Sequence, residues 1–131
     1  MSPSQNCYKA ESLYLTWSGA LNHCRTKYNA TLPSIHSDVE NYLLNSFARY
    51  SPSSCPCNLD SYFWTGLFDP NNNGDYQWVD DTSLNFENWN PKHSGDLGFC
   101  GIFSSSDLTW WGWDCSNQDG TIAVICQKSA A

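Results

Sequence analysis

Seven cysteines in only 131 residues are the feature that most constrains the fold of this chain. Cysteines at this density indicate an oxidising compartment and a framework of disulfide bonds. Because their number is odd, at least one is free, pairs with another chain, or pairs with a residue outside this sequence. The sequence therefore predicts a secreted domain. Residues 1–4 lack the basic start and apolar run of a signal peptide, so either this is a mature chain with an added methionine, which we favour, or the compartment prediction is wrong.

Length and charge limit the domain count and the partners. A chain of 131 residues fits one domain, residues 1–131, and has no apolar run of the ~20 residues that span a bilayer. Thirteen acidic against six basic residues give a formal charge of −7. This charge repels phosphate backbones and anionic lipids, so we expect neither nucleic-acid binding nor membrane insertion. The sequon at Asn29 agrees with secretion and predicts N-glycosylation there.

Two helices are predicted from capping signals and apolar spacing. Thr16 can cap the first, and its expected buried stripe is Trp17, Ala20, Leu21, Cys24 and Tyr28. Ser37 and Glu40 have the spacing of a capping box for the second helix. For that helix the spacing predicts a buried stripe of Val39, Leu43 and Phe47, with Leu44 beside it.

The remainder of the chain has the alternating pattern of strands. We predict strands at Cys7–Lys9, Tyr62–Leu67, Tyr76–Val79, Phe99–Phe103, Trp110–Trp113 and Ile122–Cys126. Residues 81–98 are mostly irregular, and a stretch this long usually carries function or a binding surface. Two helices followed by several antiparallel strands indicate an α+β domain.

The order of these segments over residues 7–128 resembles the C-type lectin-like domain, and secreted invertebrate members look closest. The matching residues are Thr16-Trp17, Ala20, Cys24, Leu32–Ser37, Phe63–Leu67, Gln77–Asp80, Asn88-Trp89, Cys100, Trp110, Cys115 and Val124–Cys126. The resemblance implies the C-type lectin-like fold, with two helices, small antiparallel sheets, a long irregular loop region and disulfide staples.

The resemblance also implies two disulfides, Cys24–Cys126 and Cys100–Cys115, a pairing that sequence alone cannot select. Cys7, Cys55 and Cys57 remain. Cys7 could bridge to Cys55 or Cys57, whereas a Cys55–Cys57 bridge would close a strained ring and is disfavoured. A leftover thiol could also join two chains, and the oligomeric state is not readable from the sequence.

The resemblance implies carbohydrate binding with a degenerate calcium–sugar site. Sugar-binding members have a Glu two residues before the third framework cysteine and a Trp-Asn-Asp triplet that ligate calcium. Here Gly98 stands at the first position and Trp110-Trp111-Gly112 at the second, so nearly every ligand oxygen is missing. The alternative function is calcium-independent protein recognition on the same fold. Either ligand, a glycan or a cell-surface protein, would bind at the long loop.

A second candidate metal site lies in the segment after Phe68. Asp69, Asn71, Asn73 and Asp75, with Gly74 between them, have the oxygen spacing of a calcium loop. The same residues are also typical of a hairpin turn, because Asn-Gly favours such turns. No cofactor is certain from the sequence, and calcium is the one that these patterns leave open.

Aromatic side chains provide the other route to a ligand site. Because strand neighbours point to opposite faces, Trp111 and Trp113 should share one face and Trp110 the other. Either all of these rings fill the core, or one face is exposed for sugar rings or protein. In a glycan site, Trp rings would stack on sugars and Asp carboxylates would accept hydrogen bonds from sugar hydroxyls. The predicted ligand-binding residues are Trp89, His93, Asp96, Trp111, Trp113 and Asp114.

Catalysis is the function class that the sequence favours least, and we predict that the chain is not an enzyme. His23 is explained as a surface or half-buried histidine of the first helix, and His36 by capping and packing before the second helix. His93 with Asp96 is the only pair resembling a loop-borne acid–base site, and no nucleophile elbow, phosphate loop or paired zinc histidines accompany it.

Overall fold

The computed structural model describes residues 6–11, 13–50, 62–91, 99–117 and 122–129, without the side chains of 47–50. Within these ranges the chain forms two helices and six strands. The elements are β1 (Asn6–Glu11), α1 (Trp17–Tyr28), α2 (Asp38–Tyr50), β2 (Tyr62–Phe68), β3 (Gln77–Trp78), β4 (Cys100–Ser104), β5 (Trp110–Trp113) and β6 (Ile122–Ser129).

The strands form one mixed sheet in the order β1-β6-β2-β4-β5, with β3 paired to β2. All pairings are antiparallel except that of β2 with β6, where Tyr62 lies opposite Ile122 and Phe63 opposite Ala123. The predicted α+β fold is confirmed. The parallel pairing arises because the last strand inserts between the first strand and β2, a long-range choice that no local pattern encodes.

The first helix forms where its signals predict. The Thr16 hydroxyl accepts a hydrogen bond from the Gly19 N–H at 3.1 Å, which satisfies one of the first free amides of the helix. Asn29 ends the helix in a left-handed conformation, with φ of 52°, which asparagine tolerates better than most residues. Ala20, Leu21 and Cys24 are buried, as their spacing predicts.

The second helix is rotated about its axis relative to the prediction, so that a different face is buried. Its cap is confirmed, because Ser37 Oγ accepts from the Glu40 N–H at 3.1 Å, although the Glu40 carboxylate reaches back to the N–H of His36. Its buried side chains are Glu40, Asn41, Leu44 and Asn45, whereas Val39 and Leu43 are exposed. The predicted stripe of Val39 and Leu43 is therefore wrong; the side chain of Phe47 lies outside the described residues.

Hydrogen bonding explains why Asn41 of α2 faces inward. The buried indole of Trp110 donates from Nε1 to Asn41 Oδ1 at 2.8 Å. The Asn41 amide donates in turn to the Leu108 carbonyl at 2.9 Å. A buried indole N–H without an acceptor would cost about 1–3 kcal/mol, so this contact fixes the rotation of the helix.

The sheet separates two apolar clusters. Successive residues of β6 alternate between them: Val124 and Cys126 pack with α1, and Ala123 and Ile125 with the cluster around Trp110 and Leu44. The alternation follows from the two-residue period of a strand, so the two clusters lie on opposite faces of the sheet. Each helix covers one face.

Two disulfides close the fold as the resemblance implies. Cys24–Cys126 joins α1 to β6 over 102 residues, and Cys100–Cys115 joins β4 to the segment after β5 over 15 residues. Loop-closure entropy gives about 4.7 and about 3 kcal/mol for bridges of these lengths. Both pairings are confirmed.

Of the three remaining cysteines, Cys7 lies within the described residues. Cys7 is a free, exposed thiol on β1, so the predicted bridge from Cys7 to Cys55 or Cys57 is not formed. β1 is an edge strand of the sheet, so the exposed thiol lies at the sheet edge. Cys55 and Cys57 lie outside the described residues.

Removing the long bridge should cost more stability than removing the short one. We expect a Cys24→Ser/Cys126→Ser variant to lose about 4.7 kcal/mol and a Cys100→Ser/Cys115→Ser variant about 3 kcal/mol in urea unfolding. A Cys7→Ser control should stay within about 0.5 kcal/mol of the wild type. Equal losses for the two bridges would contradict the loop-length argument.

The rotation of α2 is testable by two substitutions on its opposite faces. Asn41→Leu removes the acceptor of the Trp110 indole and should cost about 1–3 kcal/mol, although leucine is more apolar. Leu43→Ser should change stability by less than about 1 kcal/mol, because Leu43 is exposed. Thermal and urea unfolding measure both; the reverse ranking would restore the predicted stripe.

Candidate functional site

The aromatic pair Trp111 and Trp113 lies on β5, an edge strand of the sheet, and on the face that α1 covers. Trp110 is fully buried on the other face, so the predicted division of the three rings is confirmed. The ring centroids of Trp111 and Trp113 are 6.5 Å apart, and Tyr62 of β2 lies 5.9 Å from Trp111. All three side chains are partly exposed. Together Tyr62, Trp111 and Trp113 form what we call the β5 aromatic surface.

The orientation of the Trp111 ring is fixed by hydrogen bonds. Its Nε1 donates to Thr109 Oγ1 at 2.9 Å, and the Thr109 hydroxyl donates to Asp107 Oδ1 at 2.7 Å. Sequence reasoning did not single out Thr109, whose only signal is its two-residue spacing from Trp111. It also missed Tyr62, whose contact with Trp111 depends on the order of the strands.

A carboxylate ends the same strand. Asp114 is exposed and follows Trp113 directly, and its Oδ1 accepts from the N–H and the hydroxyl of Ser116 at 2.9 and 2.7 Å. The backbone hydrogen bond from Ser116, with that from its hydroxyl, lowers the pKa of Asp114. The next residue, Cys115, is anchored by its disulfide and accepts the Trp17 N–H at 2.9 Å. Asp114 is therefore an ionised acceptor on a fixed backbone.

Trp89 does not join this surface. It pairs with Trp110 in a parallel bridge and packs on the α2 face, where its ring lies 4.9 Å from Tyr76. Its Nε1 donates to Glu87 Oε1 at 2.9 Å. The structure thus brings together Trp111, Trp113 and Asp114 and places Trp89 on the opposite face. His93 and Asp96 lie outside the described residues.

The predicted metal segment forms a turn organised by Asp69. This carboxylate accepts the backbone N–H groups of Asn73 and Gly74 at 3.2 and 2.9 Å. The Asn73 side-chain amide donates a hydrogen bond to Asp75 Oδ2, and Asn73 Oδ1 accepts one from the Asp75 N–H. The oxygens of Asp69 are thus directed at the turn's own amides, and Asn71 is exposed. The turn explains these residue types without a metal, and their role as calcium ligands stays a prediction.

The donor set of β5 does not fit the calcium–sugar site of the family that the chain resembles. Calcium takes six to eight oxygen ligands. At the two positions where the resemblance implies Asn and Asp, this chain has Trp111, with an indole, and Gly112, with no side chain. Across the described ranges no three His, Cys, Asp or Glu side chains are grouped to hold a metal ion.

The other predicted positions have structural partners. His23 Nε2 lies 2.8 Å from Glu11 Oε1, which ties α1 to β1, and His36 Nδ1 lies 2.9 Å from Asn85 Oδ1. Asn29, the predicted glycosylation site, is exposed at the end of α1. Among the described residues neither helix has the length and apolar character needed to cross a membrane.

The turn at Asp69 should depend on its carboxylate even without metal. We expect Asp69→Ala to lose about 1–3 kcal/mol in EDTA, because two backbone amides lose their acceptor. Asn71→Ala, an exposed residue of the same turn, should change little. A rise in wild-type melting temperature in millimolar calcium that Asp69→Ala lacks would show that the segment also binds the ion. If calcium leaves the melting temperature of the wild type unchanged, the metal hypothesis is ruled out.

Comparison with known proteins gives the same fold. Residues 14–128 match the lectin C-type domain family. Regenerating islet-derived protein 3-beta of Rattus norvegicus is 30% identical over 118 residues, which cover 83% of this chain and 65% of that protein. Lithostathine-1 of Mus musculus is 25% identical over 126 residues, covering 95% and 73%. Human lymphocyte antigen 75 is 25% identical over 123 residues, and this chain spans only 7% of its length.

Solved structures share the architecture at lower identity. Human lithostathine superposes with a TM-score of 0.81 at 21% identity, covering 98% of this chain and 95% of that one. A calcium-independent type II antifreeze protein gives 0.79 at 24%, covering 100% and 92%. An SPL-1–GlcNAc complex gives 0.79 at 20%, covering 98% and 90%. With the two disulfides, the mixed sheet and the family match over residues 14–128, this chain belongs to the C-type lectin domain family.

Proposed function

We propose that this protein is a secreted, non-enzymatic recognition module that binds neutral glycans at the β5 aromatic surface without calcium. The observation that carries the proposal is the pair of partly exposed indoles on one face of β5, followed directly by an ionised carboxylate. The family match supports recognition as the general function, and the disulfide framework supports secretion.

The aromatic pair supplies apolar surface for a sugar ring. The C–H face of a pyranose is apolar and its rim carries hydroxyls, so it packs against an aromatic ring while its rim stays hydrated. Trp111 is held by Thr109, which lowers the entropy that the ring loses when a ligand binds. The centroid spacing of 6.5 Å lets adjacent parts of one ligand contact both indoles.

The carboxylate and the net charge limit the class of glycan. Asp114 stays ionised at neutral pH and accepts hydrogen bonds from sugar hydroxyls. A formal charge of −7 opposes sulfated or sialylated ligands. Neutral hydroxyl-rich glycans fit both features.

Calcium is not needed for this mode of binding. At the β5 positions where the resemblance implies calcium ligands, this chain has Trp111 and Gly112, which offer no side-chain oxygen. Recognition therefore relies on stacking and on Asp114. Structures named as an SPL-1–GlcNAc complex and as cow CD23 in the presence of an oligosaccharide share the fold. They support a sugar as ligand class, and the neighbour named as calcium-independent supports a member of this fold that works without the ion.

A glycan array probed in calcium and in EDTA tests the proposal. We expect the same neutral glycans to bind in both, and Trp113→Ala to weaken binding about tenfold, roughly 1.4 kcal/mol. Asp114→Asn should weaken it less, because the amide oxygen still accepts a hydrogen bond. Tyr42→Ala, an exposed aromatic on α2, is the matched control and should bind normally.

Two results would overturn this function. One is an array that stays blank in both buffers. The other is binding that EDTA abolishes while Trp113→Ala leaves it unchanged, which would place the ligand on a metal site instead.

A further inference from the structure

The exposed face of α2 carries three apolar side chains. Val39 is 58%, Tyr42 61% and Leu43 39% exposed. Their neighbours Asn41 and Leu44 are buried instead. Apolar residues grouped on one exposed helix face are typical of an interaction surface.

These side chains border a groove. A cavity of about 500 Å³ lies between α2 and the turn that joins β4 to β5. Its apolar lining is Val39, Tyr42, Leu43 and Leu108, with the carboxylates of Asp38 and Asp107 also in the lining. A cavity of this size accommodates a large apolar side chain and its neighbours.

The wall formed by Leu108 is held rigidly. Leu108 has a φ of 66°, which is costly for a bulky residue and persists only where its surroundings impose it. Its carbonyl accepts the side-chain amides of Asn41 at 2.9 Å and Asn88 at 2.6 Å. Asn41 is in turn fixed by Trp110. The groove is therefore formed before any ligand arrives, which reduces the entropic cost of binding.

The charge of the groove selects the occupant. Asp38 is exposed beside the apolar residues. Burial raises the pKa of Asp107, but hydrogen bonds from Thr109 and Ser104 outweigh it and hold that pKa below its usual value. Two negative charges on a chain of net charge −7 favour a cationic ligand and oppose a second copy of this chain, whose groove carries the same charges.

We propose that this α2 groove docks a partner-protein segment in which a large apolar side chain lies next to lysine or arginine. The apolar side chain fills the space between Tyr42, Leu43 and Leu108. The flanking cations pair with Asp38 and Asp107. This site lies on the opposite face of the sheet from Trp111 and Trp113, and Asp107 of the groove is linked to the Trp111 indole through the Thr109 hydroxyl. Its occupant is a protein segment, so the proposal does not rest on glycan binding.

Synthetic peptides with blocked ends test the site on the whole protein by NMR titration. The probe has a central Phe flanked by Arg, and the comparison peptides replace Phe by Ser or each Arg by Glu. We expect saturable binding of the Phe–Arg probe only, with shifts at Val39, Tyr42, Leu43 and Leu108. Tyr42→Ser/Leu43→Ser should weaken binding at least about tenfold.

Charge variants separate specific docking from general attraction. Asp38→Asn should weaken the Phe–Arg probe and reduce the salt dependence of its affinity. Asp81→Asn, which removes an exposed carboxylate outside the groove, and Trp113→Ala, on the other face, should leave it unchanged.

Three results would overturn the proposal. They are no binding by the Phe–Arg probe, equal binding when Phe is replaced by Ser, and a dimer in sedimentation that Tyr42→Ser dissociates. The last would make a second copy the occupant. Because Trp113→Ala reports on the glycan surface separately, failure here leaves the proposed function untouched.

Discussion

The buried indole of Trp110 determines the direction in which both candidate surfaces face. Its ring packs against Trp78, Phe86 and Trp89 at centroid distances of 5.3–5.9 Å, which fixes this face of β5 toward the α2 side. Strand alternation then turns Trp111 and Trp113 to the other side. The same indole draws Asn41 inward, and the rotation of α2 that follows leaves Val39, Tyr42 and Leu43 outside.

The disulfides make this arrangement durable in a chain with much irregular backbone. Cys24–Cys126 ties the first helix to β6, which lies between β1 and β2, and Cys100–Cys115 holds the start of β4 to the segment that follows β5. The segment at residues 88–90 is fixed by backbone bonds to Trp110 rather than by regular structure. A surface presented in this way changes shape little on binding, which favours recognition over induced closure.

Local signals predicted the elements well and the side-chain partners poorly. The cap of α1 at Thr16 depends on neighbours in sequence, and so does the alternation of Trp110 and Trp111; both were predictable. The apolar spacing of Val39 and Leu43 led to a wrong buried face for α2. Hydrophobic periodicity takes no account of a distant indole N–H that needs a hydrogen-bond acceptor on the helix. Local signals also could not show that Trp89 lies apart from Trp111 and Trp113. Only the strand order places Trp89 on the opposite face of the sheet.

The sequence by itself determined the cysteine-rich α+β class and the strand positions, since these depend on residue type and short-range spacing. The tertiary structure decided the parallel entry of β6, the free state of Cys7, the rotation of α2 and the groove beside Leu108. Each of these depends on contacts between residues far apart in sequence, such as Asn41 with Trp110, whose free energy exists only once the chain has folded.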